Sequence, residues 1–313
     1  MEIKKSIEQG FAGGGLYDIL VALNNGMGVL PVSGRTYYVN KTGNGTTGLS
    51  WETAFATIAA AISASNTYQA LTENANGRNR IFVDGGSGYT EGLTVLPNEC
   101  DIIGVGSTYG REPRITGNHA VTTKVTGCHI YNMYFYSAAA AAILSIPSNS
   151  NGFEIHNCRI QSSAPAATIG IQFGSLQYAW VDNCNFSGNP PMVTGIQIDG
   201  PVFAMSKITN NIISATTTGI SVANGVTGDY GLVIRGNAIA RMDPNSVAQM
   251  TYGIRYLDTN SRIHCFICEN FISAVTYISH ASGAGAATAL ANAMVGNRYA
   301  AAGDHYIDEH AVA

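Results

Sequence analysis

A six-residue pattern recurs along most of this chain, and it limits the folds open to the sequence more than any other feature. The pattern is an apolar residue, any residue, Asn/Gly/Glu, Asn/Cys/Met, any residue and a second apolar residue. Successive copies begin 25 to 33 residues apart. They are IYNMYF from Ile130, IHNCRI from Ile155, VDNCNF from Val181, ITNNII from Ile208, IRGNAI from Ile234, ICENFI from Ile267 and MVGNRY from Met294.

A second pattern lies between these copies and keeps their period. It is a glycine followed by a short strand-like segment, and it begins at Gly170, Gly195, Gly219 and Gly253. Segments this short, without Asn-Gly turns between them, do not pair with their sequence neighbours as hairpins. Stacking each repeat on the last, about 4.8 Å higher, pairs every segment with its equivalent. The sequence therefore predicts an all-β fold, a right-handed single-stranded parallel β-helix.

Equivalent positions of the repeat are expected to form ladders along the axis of the β-helix. The first and sixth positions would stack apolar side chains inside, whereas Asn at the third and fourth positions suits a corner. Cys158 and Cys184 share one position in neighbouring coils, and Cys128 and Cys265 share another, so the cysteines are predicted to be stacked core thiols. The predicted structural ladder consists of Asn157, Asn183, Asn210, Asn211, Asn237, Asn270 and Asn297.

Charge and composition exclude several classes of function. The formal net charge is −4 and no basic stripe is present, which argues against a nucleic-acid partner. The apolar run Leu16–Leu23 is too short to insert into a membrane, and the opening MEIKKSIEQG lacks the layout of a secretory signal. The spacing of the six cysteines fits no zinc ribbon, so no metal or cofactor is expected.

An amphipathic helix is predicted near the start of the repeat region. Trp51, Phe55, Ile58 and Ile62 would form its apolar face, with Ser50 as the N-cap. A helix over the open end of a solenoid would shield the edges of the first coil. The predicted divisions are an attachment segment at 1–36, the start of the β-helix with its capping helix at 37–99, the coils at 100–300, and a C-terminal cap or contact arm at 301–313.

The segments YYVNKTGNGTTGLSWETAFATIAAAI, RIFVDGGSGYTEGLTV and DIIGVGS resemble the start of the pectate-lyase-like β-helix superfamily. They are most similar to its phage-borne members, which are tailspikes, fibres and head-associated proteins. The resemblance covers residues 37 to about 300, and it is more specific for fold than for role. It implies a homotrimer of β-helices standing side by side, made in the host cytoplasm and located in the virion.

The first 36 residues do not belong to the repeat. An unrepeated segment at the start of a β-helix is typical of an anchor to a larger assembly, and a flexible tail or an extra cap is the alternative. The partner would be the capsid or another virion protein. The residues predicted to make this attachment are Leu16, Tyr17, Ile19, Leu20 and Leu23.

A catalytic site is the main alternative, because many relatives of this fold cleave polysaccharides. Glu154 and Asp182 are predicted to lie one coil apart on an outer face, with roughly 8 Å between their backbones, as in inverting glycosidases. The simpler interpretation is a solvated face of mixed charge, since the paired Asp, Gly-His-Gly and Arg-x-Lys signatures of such hydrolases are absent. The candidates are Glu154, Asp182, His156 and Arg235 for catalysis, and Trp180 and Tyr131 for stacking on a glycan.

The sequence thus predicts a structural virion protein of a phage, a β-helical capsid decoration or head-associated protein anchored by its N-terminal segment. The alternative is a tailspike or fibre that binds or cleaves a host surface polysaccharide, as a lyase or a glycoside hydrolase. The sequence leaves enzymatic activity open, but it favours a structural role.

Overall fold

The chain forms a parallel β-solenoid, which confirms the predicted fold class. The computed structural model describes residues 34–71, 77–86, 88–106, 112–137, 142–162, 168–189, 191–223, 231–243, 248–257, 265–280 and 294–299. The predicted attachment residues and the C-terminal arm lie outside the described residues; they are Leu16, Tyr17, Ile19, Leu20, Leu23 and 301–313.

One helix and a series of short strands make up the described part of the chain, in which no helix is long and apolar enough to cross a membrane. The elements are β1 Thr36–Val39, α1 Ile58–Gln69, β2 Asn79–Asp84, β3 Tyr89–Thr90, β4 Cys100–Val105, β5 Arg114–Thr116, β6 His119–Ala120, β7 Cys128–Tyr131, β8 Tyr134–Ser137, β9 Ala142–Ile146, β10 Ser150–Asn151, β11 Glu154–His156, β12 Arg159–Ser162, β13 Ile169–Phe173, β14 Leu176–Gln177, β15 Trp180–Asp182, β16 Asn185–Gly188, β17 Met192–Ile198, β18 Phe203–Ala204, β19 Lys207–Thr209, β20 Ile212–Ile213, β21 Ala215–Val222, β22 Leu232–Arg235, β23 Ala238–Ala240, β24 Met250–Tyr256, β25 Cys265–Cys268, β26 Phe271–His280, β27 Met294–Val295 and β28 Arg298–Tyr299.

Three long faces run along the solenoid. Sheet A contains ten strands in the order β1-β2-β4-β7-β11-β15-β19-β22-β25-β27. Sheet B runs from β3 through β5, β8, β12, β16 and β20 to β23, and sheet C runs from β6 through β9, β13, β17 and β21 to β24. The ten-residue strand β26 pairs with both β23 and β24, so it joins sheets B and C at the last coils. A short sheet, β10-β14-β18, lies in the chain between sheets C and A.

The strand register places the repeat where the sequence predicts it. In sheet A the first motif positions pair in succession: Ile130 with Ile155, Val181, Ile208, Ile234 and Ile267. In sheet B the sixth positions do the same, from Phe135 through Ile160, Phe186, Ile213 and Ile239 to Ile272. All of these side chains are buried. The motif therefore builds two of the apolar stacks that fill the solenoid.

Glycine in the second pattern makes room for one of these stacks. A Cβ atom on Gly195 would lie 2.4 Å from the Ile213 side chain, and one on Gly219 would lie 2.3 Å from the Ile239 side chain. Both approaches are far inside van der Waals contact. The glycines mark the places where sheet C passes closest to the isoleucines of sheet B in the next coil.

The third motif position forms a left-handed corner between sheets A and B. Asn132, Asn157, Asn183 and Asn210 have φ angles of 50 to 56°, and the next coil has Gly236 at 66°. Asn and Gly adopt this conformation at the least steric cost. The prediction of a left-handed asparagine corner is confirmed for this position.

The fourth motif position holds a buried amide ladder rather than left-handed backbone. The Nδ2 atom of Asn211 donates to Oδ1 of Asn237 at 2.9 Å, and the Asn237 amide donates likewise to Asn270. The last link runs from Asn270 to Asn297, again at 2.9 Å. Each Nδ2 also donates to a backbone carbonyl, and each Oδ1 also accepts a backbone N–H from the preceding coil, for example Asn211 N to Asn237 Oδ1 at 3.0 Å. The fourth motif position therefore forms a hydrogen-bonded ladder from Asn211 to Asn297, in which the side-chain amides of Asn237 and Asn270 each make four hydrogen bonds.

The cysteines pack as the sequence predicts. All six are free and buried. Cys184 replaces asparagine in the fourth position, and its thiol contacts the carbonyls of Ile155 and Asp182 at 3.5 and 3.3 Å. Cys100 and Cys128 are directly paired across β4 and β7. The thiols are structural parts of the interior.

The prediction for the start of the capping helix is wrong. Helix α1 begins at Ile58, and Thr57 is its N-cap, with the hydroxyl accepting from Ala60 N at 3.2 Å. Phe55 lies before the helix, because its backbone N–H donates to Tyr38 and its carbonyl accepts from Asn40, which ties it to β1. Correspondingly, the predicted N-cap Ser50 and the predicted face residue Trp51 lie in turns, and Trp51 is 42% exposed.

The correctly placed part of the helix does cover the first coil. Ile58 and Ile62 are buried against it, together with Ala61 and Ser65. Glu91, which is distant in sequence, also caps the N-terminus of the helix. Its carboxylate accepts hydrogen bonds from the backbone N–H groups of Ile58 and Ala59 at 2.9 Å each. A negative charge at this end is favourable to the helix dipole.

Candidate functional site

The candidate site lies on the outer face of sheet A. Glu154 pairs with Trp180, and His156 pairs with Asp182, as the repeat predicts. Glu154 and Asp182 are therefore one coil apart and two residues offset. Two columns of side chains lie in register on this sheet, and only their last member, Cys268, is almost fully buried at 3% exposure: His129, Glu154, Trp180, Lys207, Val233 and Phe266 form one, and Tyr131, His156, Asp182, Thr209, Arg235 and Cys268 the other.

The imidazole of His156 lies between the two candidate carboxylates. Its Nε2 is 3.0 Å from Oε2 of Glu154, and its Nδ1 is 3.7 Å from Oδ2 of Asp182. The side chain of His156 is only 11% exposed, while those of Glu154 and Asp182 are 25% and 22% exposed. The three groups thus form a half-buried acid–histidine–acid arrangement.

This arrangement continues toward the capped end of the solenoid. His129 Nδ1 lies 3.7 Å from Oε2 of Glu154 and 3.4 Å from Oδ1 of Asp101. Asp101 also accepts from Arg78 Nη2 at 2.6 Å, and Arg78 lies 3.4 Å from Glu99. We call this continuous set the acid–histidine ladder; it consists of Arg78, Asp101, His129, Glu154, His156 and Asp182.

Two carboxylates of the ladder, Glu154 and Asp101, have lowered pKa values. The hydrogen bond from His156 lowers the pKa of Glu154 below its usual range, outweighing the opposing effect of burial, and the nearby histidines and Arg78 add to it. Burial pushes the pKa of Asp101 upward, but hydrogen bonds from His129 and Arg78 and their charges outweigh it, so the pKa is lowered. The cause in both cases is stabilisation of the charged form by donors.

Asp182 is also satisfied from the opposite side. Its Oδ1 accepts from the Thr209 hydroxyl at 2.6 Å and from the Asn210 amide at 3.0 Å. Thr209 in turn accepts from the indole N–H of Trp180 at 2.8 Å. The polar groups of this face therefore bond mainly to one another.

The two predicted stacking residues flank the histidine. Tyr131 stacks on His156 with 5.1 Å between ring centroids and 11° between planes. Trp180 meets the same imidazole edge-on at 4.9 Å, and the Lys207 ammonium lies 4.8 Å from the indole centroid. The structure brings both aromatic rings together with the carboxylates.

Arg235 is not part of this group. It pairs with Thr209, one coil beyond Asp182, and its Nε donates to Glu269 at 2.8 Å in an exposed ion pair. Arg235 was predicted to lie near the carboxylates because it shares the column of Asp182, but it bonds to Glu269 of the following coil.

The geometry does not match the requirements of an inverting glycosidase. Such an enzyme needs a general acid whose pKa is raised and room for a water molecule between the two carboxyl groups. Here the pKa of Glu154 is lowered, and the imidazole of His156 lies between Glu154 and Asp182. In the part of the chain that the structure describes, no group of three or more His, Cys, Asp or Glu side chains could hold a metal ion.

A second outer surface was missed by the sequence reasoning. The fifth motif position faces outward on sheet B, where polar Arg159 and Asn185 give way to Ile212, Ala238 and Phe271. On sheet A the same coils carry further apolar side chains. We call this set the apolar outer surface; it consists of Ile212, Val233, Ala238, Phe266, Phe271 and Val295.

The exposed large side chains of this set lie on two sheets: Ile212 and Phe271 share a column of sheet B, and Phe266 and Val295 lie on sheet A. Phe266 and Phe271 are 45% and 46% exposed, Ile212 is 44% exposed and Val295 is 53% exposed. The signal in the sequence was the change of the fifth motif position from polar to apolar along the chain. Contiguous exposed apolar residues of this kind mark interaction sites.

Comparison with family models, with curated proteins and with solved structures found no match for this chain.

Proposed function

We propose that this chain is a structural protein of a phage particle, a capsid decoration or head-associated protein held by its N-terminal segment. The observation that carries the proposal is the apolar outer surface, which exposes Ile212 and Phe271 two coils apart on sheet B and Phe266 on sheet A. A stiff rod with such a surface is suited to assembly with other protein chains. The resemblance of residues 37–105 to phage-borne β-helix proteins supplies the kind of assembly.

The chemistry of sheet A supports an assembly role over catalysis. The carboxylate of Glu154 already bonds to His156, and that of Asp182 accepts hydrogen bonds from Thr209 and Asn210. A ladder of donors and acceptors that satisfy one another stiffens the rod. It would have to be broken before either group could act on a substrate.

The homotrimer that the resemblance implies would have its seam at the apolar outer surface. Phe271 lies on sheet B between Ala238 and Arg298, and the exposed ion pair of Arg235 and Glu269 is neutral as a whole. The exposed cations Arg298 and Lys207, which pair with Phe271 and Val233, would lie at the rim of the seam. Burying apolar area then favours association by about 25 cal/mol per Å².

The seam is tested by the mass of the purified protein in solution. We expect three times 32.8 kDa for the unmodified chain and a single chain for Phe271→Glu. Leu49→Glu is the matched control, because Leu49 is 50% exposed but lies outside this surface. A wild-type protein of 32.8 kDa, or equal effects of the two substitutions, would contradict the seam.

The virion role is tested by deleting the gene from the phage that carries it. The proposal expects purified particles to lose the protein and the heads to lose outer density or resistance to heat. Heads without change, with density lost only at the tail tip, would contradict a head-associated role.

A tailspike or fibre that binds a host polysaccharide is the second candidate function. It is favoured by Tyr131 and Trp180, which flank a polar, half-buried surface on the outside of sheet A. Binding on a glycan array that is lost in Trp180→Ala would support it. If the same binding survives in the double variant Glu154→Gln/Asp182→Asn, the site binds the glycan without cleaving it. If the wild-type protein lowers the viscosity of capsule and the double variant does not, the protein is an enzyme.

A further inference from the structure

A groove of about 520 Å³ lies at the capped end of the solenoid, between helix α1 and the first coil. Apolar and hydroxyl-bearing side chains line it together with one cation; they are Arg35, Tyr37, Thr47, Phe55, Ala60, Ser63, Ala64, Thr67, Tyr68 and Leu71. It is separate from the acid–histidine ladder and from the apolar outer surface.

Helix α1 presents a stripe of small side chains to this groove. Ile58 and Ile62 face the first coil, whereas Ala60, Ser63, Ala64 and Thr67 recur every three or four residues and lie along the groove. Leu71 is 47% exposed at its rim. Small side chains on a helix let another segment approach its backbone closely, so the groove can take a further helix.

The segment of this chain suited to the groove is residues 16–23. Leu16, Ile19, Leu20 and Leu23 follow the spacing i, i+3, i+4, i+7, which makes one apolar helical stripe in need of a partner. The described chain begins at Gly34, and the next residue already lines the groove. The residues from Leu23 to Gly34 can span up to roughly 36 Å, so the segment can reach the groove.

Charge favours the same occupant. Asp18 is the one charged residue between positions 10 and 27. Among the residues that line the groove, the one charged side chain is Arg35, whose guanidinium lies 4.2 Å from the centroid of the Tyr68 ring. A short tether also holds the segment at an effective concentration of about a millimolar, so even a modest affinity fills the groove.

We propose that residues 16–23 bind in this groove of their own chain as an amphipathic helix, with Leu16, Ile19, Leu20 and Leu23 against α1 and Asp18 near Arg35. This inference does not rest on the proposed function. If both hold, a virion partner must displace the segment from the groove before the same leucines can attach the protein.

Photocrosslinking in the full-length chain tests the proposal. Leu71 is replaced by p-benzoylphenylalanine, the protein is irradiated, and the linked peptides are identified by mass spectrometry. We expect a product that joins position 71 to residues 10–27 of the same molecule. Met242 is the matched control position, since it is also 47% exposed but lies far along the chain, and it should give no link to this segment.

Two further comparisons complete the experiment. In a mixture of isotopically heavy and light chains, links between heavy and light peptides would overturn the proposal in favour of exchange between copies. Leu20→Asp should reduce the yield of the product by about tenfold, because it places a charge in an apolar contact. Val29→Asp, outside the apolar stripe, should leave the yield unchanged. Absence of the product in the wild-type chain, or an equal loss in both variants, would also overturn the proposal.

Discussion

Replacing Asn237 by alanine should destabilise the protein more than replacing any exposed corner asparagine. Asn237 is 1% exposed, and its Nδ2 donates to Ile208 O and to Asn270 Oδ1 at 2.9 Å each. Its Oδ1 accepts from the backbone N–H and the side-chain amide of Asn211, at 3.0 and 2.9 Å. The substitution removes all four bonds at once.

The magnitude follows from the groups that are left without partners. Two donors of Asn211 and the carbonyl of Ile208 lose a hydrogen bond in a place that water does not reach. Each such loss costs about 1–3 kcal/mol, so the three together should lower the free energy of unfolding by about 3–9 kcal/mol. Asn183→Ala is the matched control: Asn183 is exposed at a φ of 50°, and alanine there should cost about 1 kcal/mol.

Chemical denaturation followed by circular dichroism measures both values. Amide hydrogen exchange adds a local readout, because the Asn211 N–H that donates to Asn237 should lose its protection in Asn237→Ala. If Asn237→Ala costs no more than Asn183→Ala, the buried amides do not hold the corner and the reasoning is refuted.

Three other outcomes are expected. The pKa values of Asp101 and Glu154 are lowered in the folded protein, so their stabilising effect is present above the ordinary carboxyl pKa of about 4 and is lost as the pH falls further. Denaturation midpoints should therefore drop steeply on acidification, and less steeply in Asp101→Asn. Identical pH profiles of the two proteins would count against the ladder. Met205 is 57% exposed with a φ of 52°, so Met205→Asn should raise the free energy of unfolding by about 1 kcal/mol in the same denaturation assay, and an unchanged midpoint would show that the left-handed backbone carries no cost there. Burial raises the pKa of the Cys100 thiol to about 12, and all six thiols are buried, so a thiol reagent should react with the native protein slowly and with the unfolded chain at once; rapid modification of the native protein would contradict the packing.

The repeat made the fold predictable because it fixes the register of every coil. Once Ile155 and Val181 share a motif position, the pairing of Glu154 with Trp180 and of His156 with Asp182 follows from counting residues. The same counting identified which side chains face outward on sheet A. Register is specified strongly wherever one face of a strand is buried.

The start of the capping helix could not be predicted in the same way. The apolar spacing from Trp51 to Ile62 fits a helix. However, the backbone of Phe55 makes hydrogen bonds at β1, and Thr57 is the N-cap of the helix that forms. This competition between a helix and a long-range strand contact depends on tertiary structure. Local spacing carries no information about it.

The candidate site was predicted in its positions and not in its chemistry. The sequence placed Glu154 and Asp182 one coil apart, but it gave no rotamers, and it is the rotamer of His156 that puts an imidazole between the two carboxylates. Arg235 shares the column of Asp182, yet it bonds to Glu269 in the next coil. Side-chain direction decides such contacts, and the repeat fixes only the backbone.

Cryo-EM of the phage particle that carries this protein is the most direct test of the head-associated structural role. We expect rods on the capsid lattice, attached through the N-terminal segment and packed against one another at Ile212 and Phe271. Density at the tail tip alone, with the surface around Glu154 and Asp182 turned outward and Phe271 facing solvent, would contradict it.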